Sequence, residues 1–294
     1  MSTPFGRVLT AMITPFDSDG AVDHGAVAEL AVHLVENGSD GIVVAGTTGE
    51  SPTLTGDEKV TLFQTVVDAV GDKAIVLAGT GTYDTRESVH LTEKACEIGC
   101  HGVMAVTPYY SRPPQQGLFE HFTAIADASS VPVLLYNIPS RTGRLIEVET
   151  IARLGAHRRI AAVKDAVGDL AFTSKTRVEC PDDFAIYSGD DILTLPMMSV
   201  GAVGVVSVAS HLAGPQIAEM VAAAAEGDHD RARVIHLALV PLFSALFVEP
   251  NPIPVKAAMD ALWRPVGRPR LPLVPAASET VDRIKEALAG ARAA

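Results

Sequence analysis

Residues 41–78, GIVVAGTTGESPTLTGDEKVTLFQTVVDAVGDKAIVLA, are the stretch on which the fold turns. They open with a short β-branched run, 41–45, and close with another, 74–78. Between the two, residues 57–70 place Val60, Phe63, Val66, Val67 and Val70 on one face at helical spacing. Apolar runs this short, without alternation, fit strands buried on both faces. A parallel pair of such strands needs a crossover helix of its own.

The same unit recurs along the chain. Short apolar runs at 8–14, 41–45, 74–78, 102–106, 131–136, 160–164, 184–187 and 202–206 are separated by amphipathic stretches, of which 84–98 is another clear helix. Eight strand–helix units predict a closed α/β architecture, the (β/α)8 TIM barrel. Beyond Leu212 the pattern becomes wholly helical, through 215–226, 229–248, 255–262 and 278–291. The expected organisation is a catalytic barrel over 1–225 followed by a C-terminal helical region over 226–294.

Composition narrows the function. A chain of 294 residues, 48% hydrophobic, is long enough for one barrel with a large core. Its net charge of −12 opposes binding to a phosphate backbone, and no basic run offsets it, so nucleic acid is not an expected partner. The amino terminus shows no secretory pattern, and the longest apolar stretches, 200–209 and 237–248, are too short for a membrane span. The expected location is the cytoplasm. Cys96, Cys100 and Cys180 cannot all pair and read as core thiols. The histidines form no zinc motif, and Gly79-Thr80-Gly81 lacks the third glycine of a dinucleotide fingerprint, so neither a metal nor a nucleotide cofactor is expected.

In such a barrel the chemistry gathers at the carboxyl ends of the strands. The second run ends in Gly46-Thr47-Thr48-Gly49-Glu50-Ser51, whose glycines, amides and hydroxyls suit a carboxylate. The fourth ends in Thr107-Pro108-Tyr109-Tyr110, the fifth in Tyr136-Asn137-Ile138-Pro139-Ser140-Arg141-Thr142-Gly143, and the seventh in Ser188-Gly189-Asp190-Asp191. The sixth ends in Lys164, at the mouth of a buried strand, where lost solvation favours the neutral amine that attacks a carbonyl. Taken singly, each has a plainer role. Ser51 or Thr55 can cap a helix, Tyr109 and Tyr110 can pack at an interface, Arg141 can pair with a surface carboxylate, and Asp190 and Asp191 can cap the next helix. Their convergence on one barrel mouth favours a catalytic site.

Gly46-Thr47-Thr48-Gly49-Glu50, Tyr136 with Pro139 and Thr142-Gly143, Lys164, and the later Asn251-Pro252-Ile253-Pro254-Val255-Lys256 occur in the order seen in a known family. Over 6–288 the chain resembles the pyruvate-dependent class I aldolases of the dihydrodipicolinate synthase and N-acetylneuraminate lyase superfamily. Pro108-Tyr109-Tyr110 and Arg141 resemble the dihydrodipicolinate synthase branch.

The resemblance implies a reaction. Lys164 would form a Schiff base with pyruvate, and the resulting enamine would attack L-aspartate 4-semialdehyde on the diaminopimelate route to lysine. No cofactor is implied beyond that covalent imine. The resemblance makes Tyr136 the proton donor and acceptor, with Thr47 and Tyr110 completing a relay and Tyr110 reaching in from a neighbouring subunit. It places Thr48 and the backbone around Val206 against pyruvate, Gly189 in the pocket wall, and Arg141 on the carboxylate of the semialdehyde. The expected assembly is a homotetramer built as a dimer of dimers. Alternatives are a 2-keto-3-deoxy sugar acid aldolase or N-acetylneuraminate lyase, and, more remotely, a non-catalytic keto-acid-binding barrel. Where lysine-inhibited members carry histidines and an asparagine, this chain has Gly56, Lys59 and Tyr83, with Glu87 retained. A cation at position 59 repels a cationic effector, so feedback inhibition by L-lysine is expected to be weak or absent.

Overall fold

A computed structural model describes residues 3–292. Eight strands form a closed, all-parallel barrel in sequence order. They are β1 (Val8–Ala11), β2 (Gly41–Val44), β3 (Ile75–Gly79), β4 (Gly102–Val106), β5 (Val133–Asn137), β6 (Ile160–Asp165), β7 (Ala185–Ser188) and β8 (Gly204–Ser207). Val8 opposite Val205 closes the ring between β1 and β8.

The observed strands differ from the expected ones chiefly at their ends. The ladder ends at Ala11 in β1, although Ile13 and Thr14 stay buried. In β3, β5, β6, β7 and β8 it continues past the last apolar residue into Gly79, Asn137, Asp165, Ser188 and Ser207. Hydrophobicity marks where a strand is dry, whereas backbone pairing carries on until the chain turns away. Gly79 apart, these last rungs carry buried polar side chains on the outer face of the sheet, opposite to the inward-facing residues beside them.

Inside the barrel, Leu9, Val43, Leu77, Met104, Leu134 and Tyr187 pack with Phe5, which belongs to the same interior cluster. The helices α1 (His24–Glu36), α2 (Gly56–Val70), α3 (Thr85–Ile98), α4 (Gln115–Ala128), α5 (Pro139–Thr142), α6 (Val148–Gly155), α7 (Leu170–Glu179), α8 (Thr194–Ser199) and α9 (Ser210–Glu226) follow the strands in turn. Their apolar faces form the larger core cluster outside the sheet. Thr55 starts α2 through a capping box, its hydroxyl accepting from the Glu58 amide while the Glu58 carboxylate accepts from the Thr55 amide.

The last of the barrel helices, α9, begins at Ser210, earlier than its sequence pattern implies, and is kinked at Ala213 just before Pro215. The chain then forms α10 (His229–Ala245), α11 (Ile253–Leu262) and α12 (Ser278–Arg292), with α10 packed on α9 and α12. Cys100 and Cys180 are buried, Cys96 is half-buried, and all three are free thiols. No helix among the described residues is long and apolar enough to cross a membrane.

Candidate active site

Register sets the centre of the mouth. Tyr136 of β5 lies opposite Lys164 of β6, which lies opposite Tyr187 of β7. Alternation along a strand sends Ala162 and Lys164 to the same face, the barrel interior. The Lys164 Nζ sits over the Tyr136 ring, 4.1 Å from its centroid, and the residue is only 5% exposed. The two flanking phenols have different fates. Tyr187 donates its hydroxyl to the Gly6 carbonyl at 2.8 Å and accepts from the Phe5 amide at 3.3 Å, which ties it to the amino-terminal end of the barrel. Burial raises its pKa, against the hydrogen bond from Phe5, which lowers it. Tyr136 has no such tie and lines the cavity.

That cavity, about 200 Å³, opens at the ends of β2 to β5 and is lined by Gly46, Thr47, Tyr109, Tyr136, Arg141 and Thr142 among others. Arg141 and Ile138 also line a second cavity, with Gly189, Asp190 and Phe243 on its far wall. Arg141 therefore stands at the boundary of two spaces. The loop that carries it is held by Asn137, whose side chain donates to the Ile146 carbonyl and accepts from the Ile146 amide, both at 3.0 Å.

The remaining predicted residues are placed less uniformly. Thr48 is buried and accepts a hydrogen bond from the Asn251 amide, while Val206 is buried within β8 opposite Leu9; neither lines these two cavities. Gly189 lies close against β6, since a Cβ there would come within 2.7 Å of the Ala166 Cβ. Tyr110 is 96% exposed and outside the cavity, with Tyr109 in the wall instead, stacked edge-on against Tyr83 at 5.3 Å.

Asp190 accepts from the Ile192 amide as a helix cap, but Asp191 is buried and accepts from the Ser207 hydroxyl and the amides of Val208 and Ala209, bracing the exit of β8. Asp165 does the same for β6, accepting from Thr173 Oγ1 and the Val167 amide. Burial pushes both carboxyls above their usual range, and these hydrogen bonds pull them back. Among the described residues no group of three or more His, Cys, Asp and Glu side chains is placed to hold a metal ion.

The model of the dihydrodipicolinate synthetase family matches residues 4–291. The chain belongs to that family. A 4-hydroxy-tetrahydrodipicolinate synthase of Synechococcus elongatus is 55% identical over 97% of the chain and 95% of the relative, and one of Heliobacterium modesticaldum is 55% identical over 96% and 94%. Among solved structures, a dihydrodipicolinate synthase from Cyanidioschyzon merolae with lysine bound superposes with a TM-score of 0.96 at 47% identity, covering 99% of each chain. One from Bacillus anthracis gives 0.94 at 46%, covering 98% of this chain and 99% of the other.

Sequence reasoning singled out the turn after β2 but missed what holds it. Glu50 is 2% exposed in a left-handed conformation, φ 58°. Its Oε1 accepts from Lys256 Nζ at 2.6 Å and its Oε2 from the Arg270 amide at 2.8 Å. Lys256, 1% exposed, also donates to the Thr14 carbonyl and lies over the Phe16 ring. Burial draws its ammonium down to about 8 against the upward pull of Glu50. The available signal was a lysine in the otherwise apolar run of α11; nothing in the sequence names its partner 206 positions away.

Lys59 lies on α2 and Glu87 on α3. Lys59 is 6% exposed; burial lowers its pKa and Glu87 raises it. Tyr83 remains well exposed.

Proposed function

We propose that the protein condenses pyruvate with L-aspartate 4-semialdehyde to form 4-hydroxy-tetrahydrodipicolinate, with Lys164 as the Schiff-base nucleophile. The observation that carries this reading is the amine itself. Lys164 is buried at the inner mouth of the barrel, its Nζ over the ring of Tyr136, and it is Tyr136, with Thr47 and Arg141, that lines the cavity. Among the described residues its Nζ makes no hydrogen bond or ion pair, whereas the buried Lys256 is paired with Glu50.

The neutral amine adds to C2 of pyruvate and water leaves, giving an imine whose positive charge makes the methyl protons acidic. Loss of one proton gives the enamine, which attacks the aldehyde carbon. The amino group of the semialdehyde then adds to the imine carbon and displaces Lys164, closing the ring and freeing the enzyme. Each step moves a proton, and Tyr136 is the phenol placed to move it. Thr47 and Tyr110 extend that path. Tyr110 is too exposed to serve its own site, which supports its entering from a neighbouring subunit of a homotetramer. Thr48 and the backbone at Val206 bind pyruvate, Gly189 lines the pocket, and Arg141 grips the semialdehyde carboxylate as a bidentate donor at the boundary of the two cavities. The covalent imine serves in place of a cofactor. The reaction is assigned to the cytoplasm.

Borohydride reduction in the presence of pyruvate tests the assignment. Mass spectrometry of the digest is expected to find the reduced adduct on Lys164, and its absence from that residue overturns the mechanism.

A further inference from the structure

Asn251 touches two of the residues assigned to substrate, and it does so with different atoms. Its side-chain Nδ2 donates to Thr48 Oγ1 at 2.9 Å, and its backbone carbonyl accepts from Arg141 Nη2 at 3.2 Å. Asn251 is 7% exposed and Thr48 3%. The segment that follows is clamped to the same turn a second time, because Lys256 reaches Glu50 from the first turn of α11.

A threonine hydroxyl has one proton to donate and two lone pairs to offer. Asn251 occupies a lone pair, and among the described residues no protein acceptor takes the proton of Thr48. The hydroxyl is thus left as a donor. Asn251 Oδ1, by contrast, is buried without a partner. With Nδ2 turned to Thr48, the amide leaves both its own Oδ1 and the proton of the hydroxyl without a protein partner among the described residues.

We propose that Asn251 is a positioning residue that sets the polarity of the Thr48 hydroxyl, so that its proton is directed to the carboxylate of the bound keto acid. This rests on the reading of Thr48 as a pyruvate ligand and of Lys164 as the imine-forming residue. The chemistry requires an amide. A carboxylate at position 251 takes the Thr48 proton for itself and adds a like charge beside the substrate anion. Because Arg141 is bonded to the backbone carbonyl, which any substitution retains, the effect falls on pyruvate rather than on the semialdehyde.

The experiment is steady-state kinetics in both substrates on the full chain, comparing wild type, Asn251→Asp, Asn251→Ala, Thr48→Val and the Thr48→Val/Asn251→Ala double variant. Loss of a hydrogen bond to a charged group predicts a rise in pyruvate KM of about tenfold for Asn251→Ala and about 100-fold for Asn251→Asp. The kcat at saturating pyruvate and the semialdehyde KM are expected to stay within about threefold of wild type, as for a loss of uniform ground-state binding. In the Thr48→Val background, Asn251→Ala is expected to add less than about twofold, because both act through one hydroxyl.

Pyruvate KM values near wild type in both Asn251 single variants, equal losses in both substrates, or an additive double variant overturn the proposal. If Asn251→Asp does not fold, the cycle built on Asn251→Ala decides alone. Borohydride trapping on the same samples separates the two levels. Wild type that forms no pyruvate adduct on Lys164 sinks the underlying reading, whereas a normal adduct with unaltered Asn251 variants sinks only this inference.

Discussion

Two loops at the mouth carry the same kind of backbone strain and hold it in opposite ways. The turn after β2 runs from Ala45 (φ 52°) to Glu50 (φ 58°), and the loop after β4 contains Tyr110 (φ 67°) and Arg112 (φ 48°). None is glycine, and each such residue costs on the order of 1 kcal/mol or more. In the turn, both strained residues are buried, and Glu50 is fastened by Lys256 and Arg270. In the loop, Tyr110 lies almost fully in solvent. Strain that persists needs surroundings that over-determine it. The turn finds them within the chain, whereas for the loop the proposed neighbouring subunit supplies them. On that proposal, one half of the site belongs to the single chain and the other to the assembly.

The largest effect is expected from breaking the turn. Lys256→Met leaves the Glu50 carboxylate buried and unpaired, and removal of one partner from a buried pair costs about 3–5 kcal/mol. Urea unfolding is expected to register that loss, and unchanged stability removes the ion pair from the account of the turn. Tyr110→Phe is expected to leave unfolding unchanged while lowering kcat by about 100-fold, the scale of a lost proton-transfer group. A kcat within a few-fold of wild type separates Tyr110 from the relay and leaves the loop without a catalytic role.

Lys59 and Glu87 lie away from both loops, on α2 and α3. Buried Lys59 beside Glu87 occupies the charge that a cationic effector needs, so L-lysine in the micromolar range is expected to leave the steady-state rate unchanged. Inhibition in that range contradicts this, and would align the chain with its lysine-bound relative from Cyanidioschyzon merolae.

The smallest effect is electrostatic. Arg270, together with Thr55, holds the Glu58 carboxyl at about 2, below its ordinary 4.5. A carboxyl with a depressed folded-state pKa adds stability above its unfolded value and loses it as pH falls toward the folded one. Wild type is therefore expected to melt above Glu58→Gln near neutrality, with the gap narrowing as pH drops from about 4.5 toward 2. A gap independent of pH indicates that packing, not the ion pair, secures the start of α2.

Much of this was legible without coordinates. The eight apolar runs specify eight strands because a strand buried on both faces has to be apolar throughout, and the polar residues after each run mark the open end. Lys164, Tyr136, Thr47 and Arg141 are visible for that reason. Strand ends were less legible, since backbone pairing at Asn137, Asp165 and Ser207 leaves no mark in hydrophobicity. The roles of Asn251, Lys256 and Asp191 were not legible at all. Their partners lie 16 to 206 positions away, and no local pattern encodes a contact across that separation.

By itself the sequence determined the barrel, because that follows from periodicity, and it singled out the mouth and its lysine as the expected place for chemistry. Only the tertiary structure decided which phenol beside Lys164 is free, since Tyr187 is committed to Gly6 and Tyr136 is not. It likewise decided that the turn after β2 is held by Asn251 and by Lys256 of α11, and that Tyr110 stands outside its own cavity. Those outcomes depend on which atoms meet once the ring has closed, and closure is a property of all eight strands together.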